Sequence, residues 1–88
     1  MVMYEVVFSR RADKEKRLIK QAGLEKRAKE VINILCENPF QNPPPYEKLT
    51  GNLAGFYSRR INIQHRLVYT VHETEKIVAV RSIWTHYE

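Results

Sequence analysis

Glu47, Arg66, His86 and Tyr87 are the residues whose types, taken together, could do chemistry without a cofactor. Arg66 lies in the strand-forming run HRLVYTV. Alternation there sets Leu67, Tyr69 and Val71 on one face and Arg66, Val68 and Thr70 on the other. A cation held on a stiff strand, facing away from the core, suggests an anion site. A guanidinium offers planar, paired donors to a phosphate and does not lose its charge. Glutamate and histidine suit proton transfer, because burial or a neighbouring charge moves them towards the working pH. A tyrosine stacks on a base or donates a hydrogen bond. Cleavage of RNA needs just such a short set of parts. A base takes the 2′-hydroxyl proton, a cation steadies the charge growing on the phosphoryl oxygens, and an acid protonates the departing 5′-oxygen.

Other chemistries find less support. His65, His72, His86 and Cys36 show no ligand spacing such as CxxC or HExxH, so no metal is expected. Cys36 follows Leu35 near the end of an amphipathic stretch, where a packed thiol is the commoner explanation than a nucleophile. There is no glycine-rich phosphate loop and no dinucleotide fingerprint, and no cofactor is expected. Each member of the acid–base set also has a plainer reading. Glu47 alone is a solvated loop residue, Arg66 alone a strand residue with its stem lying on the sheet, and His86-Tyr87 alone a frayed terminus. The case rests on the set, not on any one of them.

The elements that must position these residues follow from periodicity and punctuation. Residues 1–8 read as a strand, and Ser9 is a suitable N-cap. Residues 10–21 are helical in propensity, with Ala12, Lys16, Ile19 and Ala22 lining one face, and Gly23 stops the helix. A second helix spans 24–37, with Leu24, Ala28, Val31, Ile32 and Leu35 at helical spacing. The two helices are expected to form an antiparallel hairpin on one face of a sheet. All four prolines fall in residues 38–52, and Pro43-Pro44-Pro45 should be extended and stiff just ahead of Glu47, which sits on a short strand of about four residues. Such a loop is either a plain link or a rigid holder for one carboxylate. Residues 56–61 and 65–71 form an antiparallel hairpin joined by Asn62-Ile63-Gln64, and 76–87 is the last strand, apolar on both faces near its middle. The expected fold class is α+β, with one helical layer on one mostly antiparallel sheet of four to five strands.

Eighty-eight residues make one domain, 1–88. The apolar stretch at the N-terminus contains Glu5 and ends in Arg10-Arg11, so neither a secretory segment nor a membrane partner is expected. One cysteine excludes an internal disulfide framework, and a cytoplasmic location is expected. Fifteen Lys and Arg against ten Asp and Glu give a net charge of +5. Nine of the basic residues lie on the two helices, against five acidic ones. That surface is either a solvated face or a dock for polyphosphate, and charge alone does not choose between them.

The residues carry a family resemblance. AGFYSRRI followed by HRLVY, with Glu47-Lys48-Leu49 and Asn52-Leu53 upstream and His86-Tyr87 at the end, resembles the Txe/YoeB toxins of the RelE-like superfamily of small ribonucleases. The match is close over the C-terminal half and by pattern only before it. Thr50 stands where relatives carry lysine, Gln64 lies where acidic residues occur, and Glu88 extends past the His-Tyr pair. The resemblance implies a RelE-like β-α-α-β-β-β-β fold and a toxin of a type II toxin–antitoxin pair. Such a toxin is a metal-free mRNA interferase acting in the A site of the 70S ribosome. It implies Glu47 as general base, Arg66 as phosphate stabiliser, His86 as general acid and Tyr87 as the aromatic that orients substrate. Arg60, and with less support Arg59, would be further phosphate contacts. The implied partner is a YefM-type antitoxin, through which alone the toxin would meet operator DNA, and a homodimer is left open. The rival reading is a non-catalytic module that keeps the fold and acts as co-repressor with its antitoxin. A free, ribosome-independent nuclease is a third.

Overall fold

A computed structural model describes residues 3–85 of the chain, so His86 and Tyr87 lie outside the described residues. The elements run β1 (Glu5–Phe8), α1 (Arg10–Gln21), α2 (Glu25–Glu37), β2 (Glu47–Lys48), a 3-10 turn (Gly51–Leu53), β3 (Tyr57–Arg60), β4 (Arg66–His72) and β5 (Ile77–Thr85). The sheet order is β1-β5-β4-β3-β2. β1 runs parallel to β5, and every other neighbouring pair is antiparallel. This is the expected α+β class, with a mixed sheet. β2 is two residues long, shorter than expected.

Helix boundaries follow their caps. Ser9 has extended backbone and its hydroxyl accepts from the Ala12 amide at 3.0 Å, satisfying one orphan donor of α1. At the other end Gly23 takes φ +74°, its amide donates to Lys20 O and the Leu24 amide to Ile19 O, a Schellman closure. Both helices pack on β1 and β5. The core joins Ala12 and Ile19 of α1, Ala28, Val31 and Leu35 of α2, and Leu67, Tyr69, Val78, Val80 and Ile83 of the sheet.

The inner face of α1 differs from the expected one. Glu15, not Lys16, is buried between Ala12 and Ile19, and Ala22 is exposed at the helix end. Lys16 instead lies over the Phe8 ring at 3.9 Å and bridges to Asp13. The reason for a buried carboxylate lies in β5. Where β4 advances from Tyr69 to Val68, β5 advances from Val80 to Ser82, and a second slip separates the Val68–Ser82 and Arg66–Thr85 pairs. On its other side β5 has lost β1, which ends at Phe8 opposite Val80. Glu15 Oε1 fills that gap by accepting from Ser82 Oγ (3.1 Å), Ile83 N (2.9 Å) and Trp84 N (3.2 Å), while Arg11 donates to Oε2 at 3.0 Å. Glu15→Ala strips the acceptor from three donors, and a loss of about 2–3 kcal/mol is expected. Glu15→Gln, which keeps an oxygen there, should lose less. Thermal unfolding checks the order, and equal melting of all three chains would remove this role from Glu15.

Candidate active site

The site is built on the hairpin and on the strand that flanks it. β3 and β4 pair Tyr57 with Tyr69, Ser58 with Val68, Arg59 with Leu67 and Arg60 with Arg66. The turn between them is closed by Asn62, whose Oδ1 accepts from the amides of Gln64 (2.9 Å) and His65 (2.7 Å). Cross-strand partners share a face, so Arg60 and Arg66 lie side by side, and Ser58 stands beside Glu47, its partner on β2. Leu67 and Tyr69 take the opposite face, into the core.

Glu47 and Arg66 meet as an ion pair across β3, with the Glu47 side chain 63% exposed and that of Arg66 16%. They line one cleft of about 280 Å³ with Pro45, Tyr46, Ser58 and Arg60. Two adjacent guanidinium groups and one carboxylate leave this cleft with a formal charge of +1, and like charges side by side repel until an anion comes between them. In this structure the Glu47 carboxylate lies against Arg66 and offsets one of the two positive charges. On the other side of β4, Thr85 of β5 pairs with Arg66, and in the sequence it immediately precedes His86 and Tyr87.

Arg59 does not join this cleft, contrary to the expectation of a phosphate contact. It is 2% exposed, and its guanidinium donates to Pro44 O (2.8 Å), Pro39 O (3.0 Å), Gln41 O (2.7 Å) and, through Nε, to Tyr69 Oη (3.2 Å). Pairing with Leu67 is what turns it inward. Its donors are consumed by the backbone of the proline loop, so it holds the segment that delivers Glu47. Tyr69 adds a weaker bond to Pro39 O at 3.3 Å. Burial pushes the Tyr69 phenol up to about 12, against the lowering effect of Arg59, so the hydroxyl stays protonated and donates. Phe40, Tyr46, Tyr57 and Tyr69 stack and tilt against one another at 5.6–6.2 Å between centroids, and Arg59 lies 5.0 Å from the Tyr46 ring. The loop is not the straight extended rod expected: Pro43 and Pro44 form a bend, and the Asn42–Pro43 and Pro43–Pro44 bonds are cis. It is nonetheless held firmly, by Arg59 and the rings.

His65 is 5% exposed and stacks on Trp84 at 3.8 Å, which makes it part of the packing between β4 and β5. Among the described residues no group of His, Cys, Asp and Glu could hold a metal ion, and no helix is long and apolar enough to cross a membrane. Tyr46 and Ser58 line the cleft although the sequence reading did not single them out. The one signal for Ser58 was its parity with Arg60 in SRRI.

The fold and site define a class: a small basic α+β chain with a two-arginine cleft beside a carboxylate, set on an antiparallel hairpin. Comparison narrows the class. Residues 20–87 match the model of the YoeB-like toxin of bacterial type II toxin–antitoxin systems. Toxin YoeB of Synechocystis is 36% identical over 64 residues, covering 73% of this chain and 67% of that toxin. The heterotetrameric YoeB–YefM toxin–antitoxin complex of Staphylococcus aureus contains a chain that superposes with a TM-score of 0.79 at 33% identity, covering 96% of this chain and 98% of that one. A YoeB dimer from the same organism gives 0.81 at 32% identity, covering 98% and 100%. The chain belongs to the YoeB toxin family of type II toxin–antitoxin systems.

Proposed function

We propose that this toxin is a ribosome-dependent, metal-independent endoribonuclease that cuts mRNA in the A site. The observation that carries the reading is the meeting of Glu47 with Arg66 across β3, beside Arg60, in a cleft of net positive charge. A substrate phosphate displaces the Glu47 carboxylate from Arg66 and settles between the two arginines. The released carboxylate, still anchored on β2, takes the proton of the adjacent 2′-hydroxyl, and the oxygen so formed attacks phosphorus. Arg66, with Arg60, steadies the charge on the phosphoryl oxygens. His86 protonates the leaving 5′-oxygen and Tyr87 orients the substrate. The products are a 2′,3′-cyclic phosphate and a 5′-hydroxyl, and addition of water to the cyclic ester gives the 3′-phosphate. Burial of Arg59 excludes it from this set and makes it the anchor of the base.

The basic helices dock on ribosomal RNA, and the affinity falls steeply with added salt. With a single proposed acid and an open cleft, the ribosome supplies much of the positioning of the scissile bond. A YefM-type antitoxin is the expected partner and the bridge to operator DNA, and a homodimer is consistent with the S. aureus relative. The chain acts in the cytoplasm on this reading. Primer-extension mapping of a defined mRNA, with and without 70S ribosomes, tests it. Cuts in the A-site codon are expected only with ribosomes and are expected to vanish in His86→Ala. Folded protein that cuts in neither condition would turn the assignment to the non-catalytic co-repressor.

A further inference from the structure

Ser58 stands in the middle of β3, opposite Glu47 in register, and lines the same cleft as Arg60 and Arg66. It is 1% exposed, its Oγ is shut off from solvent, and among the described residues that hydroxyl has no hydrogen-bond partner. An unpartnered buried hydroxyl is destabilising, and alanine would occupy nearly the same space without that cost. The fold by itself therefore gives no reason for a serine here. The register supplies one. Glu47 on β2 and Arg66 on β4 reach each other over β3, and their bridge passes between Ser58 and Arg60. An anion that takes Arg66 from Glu47 parts two side chains that line the same cleft as Ser58.

We propose that Ser58 Oγ is the third donor of a phosphoryl-binding site completed by Arg60 and Arg66, and that this hydroxyl finds its partner only when the ligand is bound. The inference rests on the assignment of Arg60 and Arg66 to a phosphoryl group, and adds to it a neutral donor at the floor of the cleft. Because the hydroxyl gives up no hydrogen bond within the protein to make the new one, its contribution to the bound state is not offset by a loss in the free state. Two guanidinium forks approach from β3 and β4, and the short serine side chain fixes how deep the phosphoryl group sits.

The test uses the isolated full chain and inorganic phosphate as the probe. Phosphate is titrated into the wild type and Ser58→Ala while the guanidinium signals of Arg60 and Arg66 are followed by NMR, and the thermal unfolding of both chains is recorded. Ser58→Ala is expected to bind phosphate about tenfold more weakly, the size of one hydrogen bond to a charged acceptor. It is expected to unfold at or above the wild-type temperature, because an unpartnered donor has left the interior. Equal phosphate affinity in the two chains overturns the proposal, as does a wild type whose arginine signals ignore phosphate. Weaker binding accompanied by a clear fall in unfolding temperature also overturns it, since Ser58 would then act through packing. The nuclease reading fails separately. If phosphate binding depends on Ser58 while programmed ribosomes show no cuts, the anion site stands and the enzyme assignment falls.

Discussion

Arg66→Ala is expected to slow cleavage of mRNA on programmed 70S ribosomes by about 10²–10³-fold, while the variant unfolds within a few degrees of the wild type. The two halves of this expectation come from different properties of the same side chain. On the proposed mechanism Arg66 faces charge growing on the phosphoryl oxygens in the transition state, where a preorganised donor acts most strongly. In the free protein its partner is Glu47, whose side chain is 63% exposed, and ion pairs so open to water contribute about 0–1 kcal/mol. A single-turnover cleavage assay beside a thermal melt separates the two. A variant that cleaves at the wild-type rate would end the assignment of Arg66 as the phosphate stabiliser. A variant that loses activity only by losing its fold would show Arg66 to be structural. Glu47→Gln offers an internal comparison, since it also breaks the ion pair, leaves the arginine in place and removes the base.

Arg59→Ala is expected to give the largest loss of stability, about 3–4 kcal/mol, or about 15 °C in unfolding temperature for a chain of this size. The guanidinium donates to three carbonyls of the proline loop and to Tyr69 Oη. Alanine takes the Arg59 donor from Pro44 O, Gln41 O and Tyr69 Oη, leaves Pro39 O with only the longer bond from the Tyr69 hydroxyl, and opens a void beneath the aromatic cluster. Arg59→Lys restores the charge but not the planar fork that reaches several acceptors at once, so it should recover only a minor part. Activity should fall as well, because the loop that Arg59 holds is the one that delivers Glu47. A melt of Arg59→Ala within about 3 °C of the wild type would show that the loop is held by other contacts, chiefly the rings of Phe40, Tyr46 and Tyr57. The contrast with Arg66→Ala is the useful result: arginines of two short motifs, one expected to serve folding and the other the proposed chemistry.

Local chemistry determined a good deal of this protein from its sequence alone. Ser9, Gly23 and the helical spacing of Ala28, Val31 and Leu35 set the helices, because caps and apolar periodicity act within a few residues. Asn62-Ile63-Gln64 set the hairpin, because so short a connection between two strand-forming runs permits little else. Alternation along β4 placed Arg66 away from Leu67 and Tyr69. What remained for the tertiary structure were choices that depend on partners distant in the chain. Alternation says that Arg59 and Arg60 point to opposite faces, but only the pairing of Arg59 with Leu67 decides which of them goes inward. Helical spacing allows either Glu15 or Lys16 on the inner face of α1. The slipped register of β5, with its amides at Ile83 and Trp84 in need of an acceptor, chooses the carboxylate. The meeting of Glu47 with Arg66 over Ser58 likewise depends on β2 and β4 flanking β3. Periodicity is a property of one strand or helix at a time. A site assembled from three strands exists only once the sheet has set their order and register.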